Sequence, residues 1–368
     1  MNKVIIIGDS THNTLSAVRS FGEGKIPLTL ILVCLKDTCY VRYSKYLKPS
    51  NLYIVSELDE CAAILERLAT VKDQLLMTTF DAAAEWVDAR ESQLSKMFIT
   101  PCRGKQLGAL FNKEAQCKLA KECGLTVPNS VVYHRGENIP KDLPYPVITK
   151  PLVSSEGEKS DIHICGNDTE LAKSLATNSH CNDFVIQEFI EKEYEINTTG
   201  VSTNQGVIIG GGIHKYRHWP QIVGAASFGV FERIGQFNID TAAVSRFIKE
   251  TGYHGPFSVE FLHTKEGKNY FMEVNFRNDG LAYASTCAGA NLHALYADDS
   301  KKIDWSKFRR TYMMNYSIDL LYVKEGSISM YQWFKDFFKT RCFINICMSD
   351  LGPTIYYYID KISSKCTK

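Results

Sequence analysis

The chain has 368 residues, with 42 Lys plus Arg against 41 Asp plus Glu and a formal net charge of +1, so neither a nucleic-acid partner nor an acidic solvating arm is indicated. That length is ample for a large buried core and sets a prior of two to three domains or subdomains. The 12 cysteines are scattered without a CxxC pair or a His-rich companion, which argues against structural zinc.

In chain order, Val4–Ile7 is an apolar run too short for a signal peptide, with no small-residue cleavage site after it. Free cysteines without export then fit a reducing cytoplasm. The run ends at Gly8-Asp9-Ser10, a helix-like stretch continues to about Phe21, and Leu28–Cys34 reads as a second buried strand. This is the opening of a Rossmann-like α/β unit with parallel strands. The G-x-G-x-x-G fingerprint is absent, since Asp-Ser-Thr-His-Asn follows Gly8, so an NAD-dependent enzyme is a rival that rests on the strand–glycine pattern alone. Leu75–Thr79 reads as a further strand. Asp81 at its carboxyl end is either a ligand position of an open α/β sheet or the N-cap of a helix over Ala82–Arg90.

Asn112 opens a helical stretch closed by Gly124, with Lys113 at its start. Tyr145–Pro151 reads as a strand that carries Lys150 inward among apolar neighbours. A buried lysine is costly unless paired, and phosphate oxygens would pair it. Leu152–Asp161 is a small-polar loop, and Phe184–Ile190 is an apolar strand that turns acidic at Glu191. Gly206–Gly212 reads as a strand followed by the cationic group His214, Lys215, Arg217 and His218. That group is either a site for a γ-phosphate or acidic substrate, or a solvated basic loop. Asp240–Gly252 has the period of an amphipathic helix.

Gly255–Arg277 reads as two strands joined by a polar turn. Period-two alternation puts Glu273 and Asn275 on one face, and antiparallel pairing brings Glu260 beside them. Two carboxylates and an amide oxygen among apolar residues are expensive unless a divalent cation sits between them, and such hard oxygen ligands suit magnesium. The competing reading is a hairpin whose polar face is merely wet. Arg277 continues the row and has the bidentate geometry for a phosphoryl group or a carboxylate; its alternative is a salt bridge to Glu273. From Lys301 aromatics crowd the sequence, and this segment either packs back on the core or makes a homodimer contact. The apolar tail Phe343–Ile359 is interrupted by Asp350, Gly352 and Pro353, so no membrane span is expected.

Five of these features stand in one order: Asn112-Lys113, Thr149-Lys150-Pro151, Gln187-Glu188-Phe189-Ile190, Glu260, and Glu273-Val274-Asn275. In that order they resemble the ATP-grasp superfamily, above all carboxylate–amine ligases of the D-aspartate ligase kind, and Lys192-Glu193-Tyr194-Glu195 resembles a stretch of carbamoyl phosphate synthetase. Tyr43-Ser44-Lys45-Tyr46 resembles a short motif of the D-aspartate ligase group, or is an exposed turn, and Asp350–Pro353 resembles a D-x-x-P element of that group.

The resemblance implies an α/β chain, α+β in its central part, with an ATP-grasp fold behind a Rossmann-like N-terminal domain. Residues 1–105 form that domain, 106–183 a small subdomain with the phosphate loop, 184–300 a large subdomain with the metal site, and 301–368 an extension. Lys113 and Lys150 then meet the phosphates, with Ser154, Ser155 and Gly157 of the loop as an anion nest. Gln187, Glu188, Phe189 and Ile190 form the adenine hinge, and Glu193, in preference to Glu195, meets the ribose. Glu260, Glu273 and Asn275 hold Mg2+ or Mn2+, while Lys215 and Arg277 serve catalysis. The activity implied is ATP-dependent joining of a small-molecule carboxylate and an amine through an acylphosphate, in the cytoplasm. Only Gly157 of the usual glycines is present in the loop, and Glu156 and Glu158 flank it. That departure favours the alternative of a degenerate nucleotide-binding or regulatory protein without turnover.

Overall fold

The computed structural model describes residues 3–35, 39–69, 73–103, 105–152, 161–177, 181–221 and 224–366. Its first sheet joins β1 (Val4–Asp9), β2 (Leu28–Val33), β3 (Leu52–Val55) and β4 (Leu75–Thr78) in the order β3-β2-β1-β4, all parallel. These strands are continuously apolar because both sheet faces are covered. Val4 and Ile6 pack with Phe21 and Leu292, whereas Ile5 and Ile7 pack with Leu65 and Trp86. The helix His12–Glu23 starts right after β1 with Thr11 as its cap. This places His12 at the carboxyl edge of the sheet, where open α/β sheets bind ligands.

A second, smaller antiparallel sheet has the order β5-β8-β6-β7, from β5 (Ser130–His134), β6 (Val147–Pro151), β7 (His163–Cys165) and β8 (Asp183–Glu188). Since β8 pairs with both β5 and β6, this sheet runs past the division expected at 183/184. The third sheet joins β9 (Tyr194–Thr203), β10 (Gly206–Trp219), β11 (Ala225–Glu232), β12 (Gly255–His263), β13 (Asn269–Asn275), β14 (Thr311–Met314) and β15 (Cys342–Phe343), in the order β13-β12-β9-β10-β11-β14-β15. One of its faces is apolar: Ile196, Val259, Phe261, Phe271 and Val274 pack on Val244, Phe247 and Ile248 of the helix Thr241–Thr251. That helix is capped by Asp240 and ended by Gly252 in the left-handed region, φ 71°, as its sequence indicates.

The segment from residue 301 packs back on the core. It adds β14 and β15 to the large sheet, and two arginines clamp it, Arg19 buried and Arg217 partly buried. Arg217 on β10 reaches Asp319 through Nε and Nη2, both at 2.8 Å, and Asp336 at 2.7 Å. Arg19 donates to Asp350 at 3.0 Å and to the Ile344 carbonyl at 3.2 Å. Ser44 Oγ and Lys45 N also donate to Asp350, at 3.0 and 2.8 Å, and Ser44 is buried. The two short motifs at 43–46 and 350–353 therefore meet in one buried clamp, and Ser44 is no part of an exposed turn.

Three further expectations are corrected. The group His214–His218 does not follow a strand: β10 runs 14 residues, from Gly206 to Trp219, and carries it. Not every cysteine is free, since Cys34 and Cys39 form a disulfide; they lie five residues apart, just past the end of β2. Asp81 is not an N-cap, for the helix Asp81–Ala89 begins after Phe80 without a side-chain cap, and the Asp81 carboxylate is bonded to Arg277. Among the described residues no helix is long and apolar enough to cross a membrane.

Candidate functional site

The other face of the large sheet is polar, and it faces a cavity of about 450 Å3 shared with the smaller sheet and the N-terminal unit. Register decides which side chains meet there. Glu260 on β12 stands directly opposite Glu273 on β13 and Asn197 on β9, and Ser258 stands opposite Asn275. The sequence-predicted row Glu260, Glu273, Asn275 is thus brought together on one face. A bulge between Glu260 and Phe261 leaves Met272 facing the cavity beside Glu273, the local re-aiming that bulges produce.

Asn275 Nδ2 donates to Ser258 Oγ at 3.3 Å, which leaves Oδ1 as its coordinating atom. Burial is the largest influence on Glu260 and pushes its carboxyl above the usual range; Lys215 opposes the rise, while Glu273 and Glu195 add to it. Two like-charged carboxylates held side by side fit a divalent cation. Among the described residues no group of three or more His, Cys, Asp or Glu side chains would hold a metal without other ligands, so phosphate oxygens or water would complete the shell.

Lys215, cross-strand neighbour of Glu195, is buried. Its Nζ lies 2.8 Å from Glu260 Oε2 and 3.1 Å from Glu195 Oε2. Burial would raise the Glu195 carboxyl, but Lys215 and Lys192 hold it down at about 2. Of the rest of the cationic group, Arg217 is used in its clamp and His214 is stacked on Tyr194 with ring centres 3.8 Å apart.

Lys150 on β6 is 6% exposed and donates to Gln187 Oε1 at 3.1 Å. Lys113, first residue of the helix Lys113–Glu122 capped by Asn112, lines the same cavity. Burial first, then repulsion from Lys113, lowers the Lys150 ammonium to about 8. Phosphate oxygens beside it would restore the charged form. Affinity for a non-hydrolysable ATP analogue is accordingly expected to be level below pH 8 and to fall about tenfold per unit above it, as checked by calorimetric titration. In Lys150→Met the slope is expected to vanish.

Gln187, Glu188, Phe189 and Ile190 all line the cavity, next to Ile148, Leu262 and Met272. The Glu188 carboxylate is already engaged, accepting from Asn129 N at 3.2 Å and Nδ2 at 2.9 Å. Glu193 is exposed and precedes β9, whereas Glu195, inside β9, lines the cavity. Ser154, Ser155 and Gly157 lie outside the described residues.

Arg277 reaches neither Glu273 nor the cavity. Its guanidinium grips Asp81 at 2.6 and 3.2 Å, which ties the end of β13 to the N-terminal unit. Asn278 and Asp279 complete that junction: Asn278 Nδ2 donates to the Asn13 carbonyl at 2.6 Å, and the Asp279 carbonyl accepts from Ser16 Oγ at 3.1 Å while its carboxylate accepts from Asn197 and Ser258 of the large sheet, each at 3.0 Å. Sequence reasoning passed over Asn197, although Glu195-x-Asn197 on β9 repeats the spacing of Glu273-x-Asn275. It also passed over His12 and Asn315, which no local pattern marks.

A small antiparallel sheet set against a large one across a cavity, with two lysines and a row of acids facing each other, is the ATP-grasp fold. The chain belongs to the family described as carbamoyl-phosphate synthase L chain, ATP binding domain, which matches residues 112–297. It is similar to the Staphylococcus aureus N5-carboxyaminoimidazole synthetase complexed with ADP, at 16% identity and a TM-score of 0.65 over 89% of this chain and 86% of that one. It is also similar to the biotin carboxylase domain of the Hydrogenobacter thermophilus 2-oxoglutarate carboxylase, a structure with MgADP, ADP and bicarbonate. There the identity is 16% and the TM-score 0.63, over 84% and 73% of the two chains. An L-amino acid ligase from Bacillus licheniformis matches at 15% identity and a TM-score of 0.58, over 83% and 76%. No curated protein sequence matches the chain.

Proposed function

We propose that this protein is an ATP-dependent ligase that activates a carboxylate as an acylphosphate and passes the acyl group to an amine, releasing ADP and phosphate. The observation that carries the reading is the convergence of Lys113, Lys150, Glu260 and Glu273 on one cavity, with Asn275 two residues further along the face of β13 that carries Glu273. The nucleotides bound in the S. aureus and H. thermophilus proteins support ATP as the donor. In this reading a substrate carboxylate oxygen attacks the γ-phosphorus and ADP departs. The amine nitrogen then attacks the acyl carbon, phosphate leaves and the nitrogen loses a proton.

Lys113 and Lys150 pair with the phosphates and position them. The apolar slot at Ile148, Ile190, Leu262 and Met272 takes the base, in keeping with mostly apolar pockets that have few polar groups. Glu260, Glu273 and Asn275 would hold Mg2+, which when bound would supply positive charge to offset that of the transferring phosphoryl group. Lys215 holds Glu195 ionised and opposes the rise of the Glu260 carboxyl at the centre of the site. The chain therefore works by position and electrostatics, without a side-chain nucleophile.

The test is ADP release from ATP and Mg2+ over a panel of acids and amines. Release that requires both partners is expected, with Lys150→Ala slowing it about 100-fold or more. Nucleotide binding without ADP formation across the whole panel would leave a nucleotide-binding protein and remove the ligase.

A further inference from the structure

The cavity has a second end, away from β8, where Leu281, Ile318 and Ile344 supply the wall together with His12 and Asn315. Asn315 is 5% exposed, and its orientation is fixed. Its backbone N donates to the Ser227 carbonyl at 2.7 Å. Its Oδ1 accepts from Asn345 Nδ2 at 2.9 Å and from Ser317 Oγ at 3.1 Å. The Nδ2 group is thereby left as a donor lining the cavity, with no acceptor opposite it among the described residues. A buried amide donor is almost always satisfied in a native protein, by protein, water or ligand.

The surrounding charge is spent. Arg19, behind Ile344, is used by Asp350 and the Ile344 carbonyl. Arg217, which anchors the helix carrying Ile318, is used by Asp319 and Asp336. An acidic side chain at this end would meet aliphatic carbon, one amide and the His12 imidazole, whose burial disfavours its charged form, with no free cation among the described residues, and burying an unpaired carboxylate there is unfavourable. An aliphatic chain would be matched.

We infer that this end of the cavity is the subsite for the acid substrate, and that it takes a small carboxylic acid with an aliphatic side chain, resting on Leu281, Ile318 and Ile344, while an acid oxygen accepts from Asn315 Nδ2. The inference rests on the ligase reading and names its substrate class. It also parts from the D-aspartate ligase resemblance, which would ask for a second carboxylate to be accommodated.

The full chain, saturated with a non-hydrolysable ATP analogue and Mg2+, is titrated by ligand-detected NMR with 4-methylpentanoate, L-leucine, succinate and L-lysine. ADP release from ATP is measured with the same four compounds in parallel. The aliphatic acids are expected to bind about tenfold or more tightly than succinate and L-lysine. Asn315→Asp, which exchanges the donor for an acceptor at constant shape, is expected to weaken 4-methylpentanoate by a similar factor. Its affinity for the ATP analogue should stay within about twofold of wild type, which shows that the fold is intact. Ile318→Lys is expected to reverse the preference in favour of succinate.

Binding of succinate or L-lysine as tight as that of the aliphatic acids would overturn the subsite. So would binding of none of the four at about 10 mM, or an unchanged acid affinity in Asn315→Asp. The expected binding pattern without ADP release keeps the subsite and removes the ligase reading. ADP release driven by succinate, and indifferent to Asn315→Asp, keeps the ligase and removes the subsite.

Discussion

Glu273→Gln is expected to lower carboxylate-dependent ADP release by about 10^2- to 10^3-fold and, at the same time, to raise the melting temperature of the nucleotide-free protein. The two effects have one cause. Glu273 and Glu260 are direct cross-strand neighbours, and Glu260 already feels that neighbour, since repulsion from Glu273 adds to the burial that raises its carboxyl. Like charges directly opposite on paired strands are destabilising, by roughly 0.2–1 kcal/mol. An amide of the same shape removes that repulsion, a gain of about 1 °C in a chain of this size. It also removes a hard, charged oxygen ligand from the row that would hold Mg2+. With ATP analogue and Mg2+ present the order should reverse, because the wild type gains more from ligand than the variant does. Paired thermal melts with and without ligand check both signs. Near wild-type turnover in Glu273→Gln would detach the row from the chemistry, and a lower melting temperature without nucleotide would show that the attraction of Glu273 for Lys150 and Arg277 outweighs its repulsion from Glu260.

The hairpin that carries this row was legible because strand alternation and an intervening polar turn are local: residues within 23 positions of one another settle it. Lys150 was legible for a similar reason, a charge inside an apolar strand. What failed was of two kinds. Gly210, Gly211 and Gly212 suggested the end of a strand, yet they sit inside β10 because of close packing. A Cβ on Gly211 would lie 2.3 Å from the Glu232 carbonyl oxygen, and one on Gly210 would meet Leu292 at 3.0 Å. The turn is made instead by Gly206, at φ 117°. With the strand extended, it is the register shifts on either side of Arg217 that send Lys215 and Arg217 to different partners, and only Lys215 belongs to the cavity.

The second kind of failure is long-range. Arg277 meets Asp81 across 196 positions, and Ser44 meets Asp350 across 306. No periodicity within either segment encodes such a pairing. Asn315 is the same case: a single amide beyond the expected binding domain, which reaches the cavity only because β14 joins the large sheet and two aspartates bind Arg217 behind it.

Lys215→Met is expected to cost about 3–5 kcal/mol of stability, because it leaves Glu195 and Glu260, 14% and 26% exposed at the side chain, without their shared ammonium. The pH dependence should change sign with it. In the wild type, Glu195 is held at about 2 against an ordinary 4.5. Its ion pairs therefore contribute stability above pH 4.5 that is lost as the pH falls toward 2. Without Lys215, Lys192 still holds Glu195 down, while burial and repulsion from Glu273 raise Glu260 with its opposing ammonium gone. Between pH 4.5 and the raised Glu260 value the folded chain then holds more protons than the unfolded one at that site, so its contribution to stability falls as pH rises. Urea unfolding at pH 5 and pH 8 should find the variant more stable at pH 5. Its folded form at pH 5 should still fail to release ADP, since a Glu260 carboxyl shifted toward its neutral form by the loss of Lys215 is a poorer ligand for a hard cation. A loss below about 1 kcal/mol, equal at both pH values, would mean that Lys215 bridges nothing that matters, and ADP release by the folded variant would confine the lysine to a structural role.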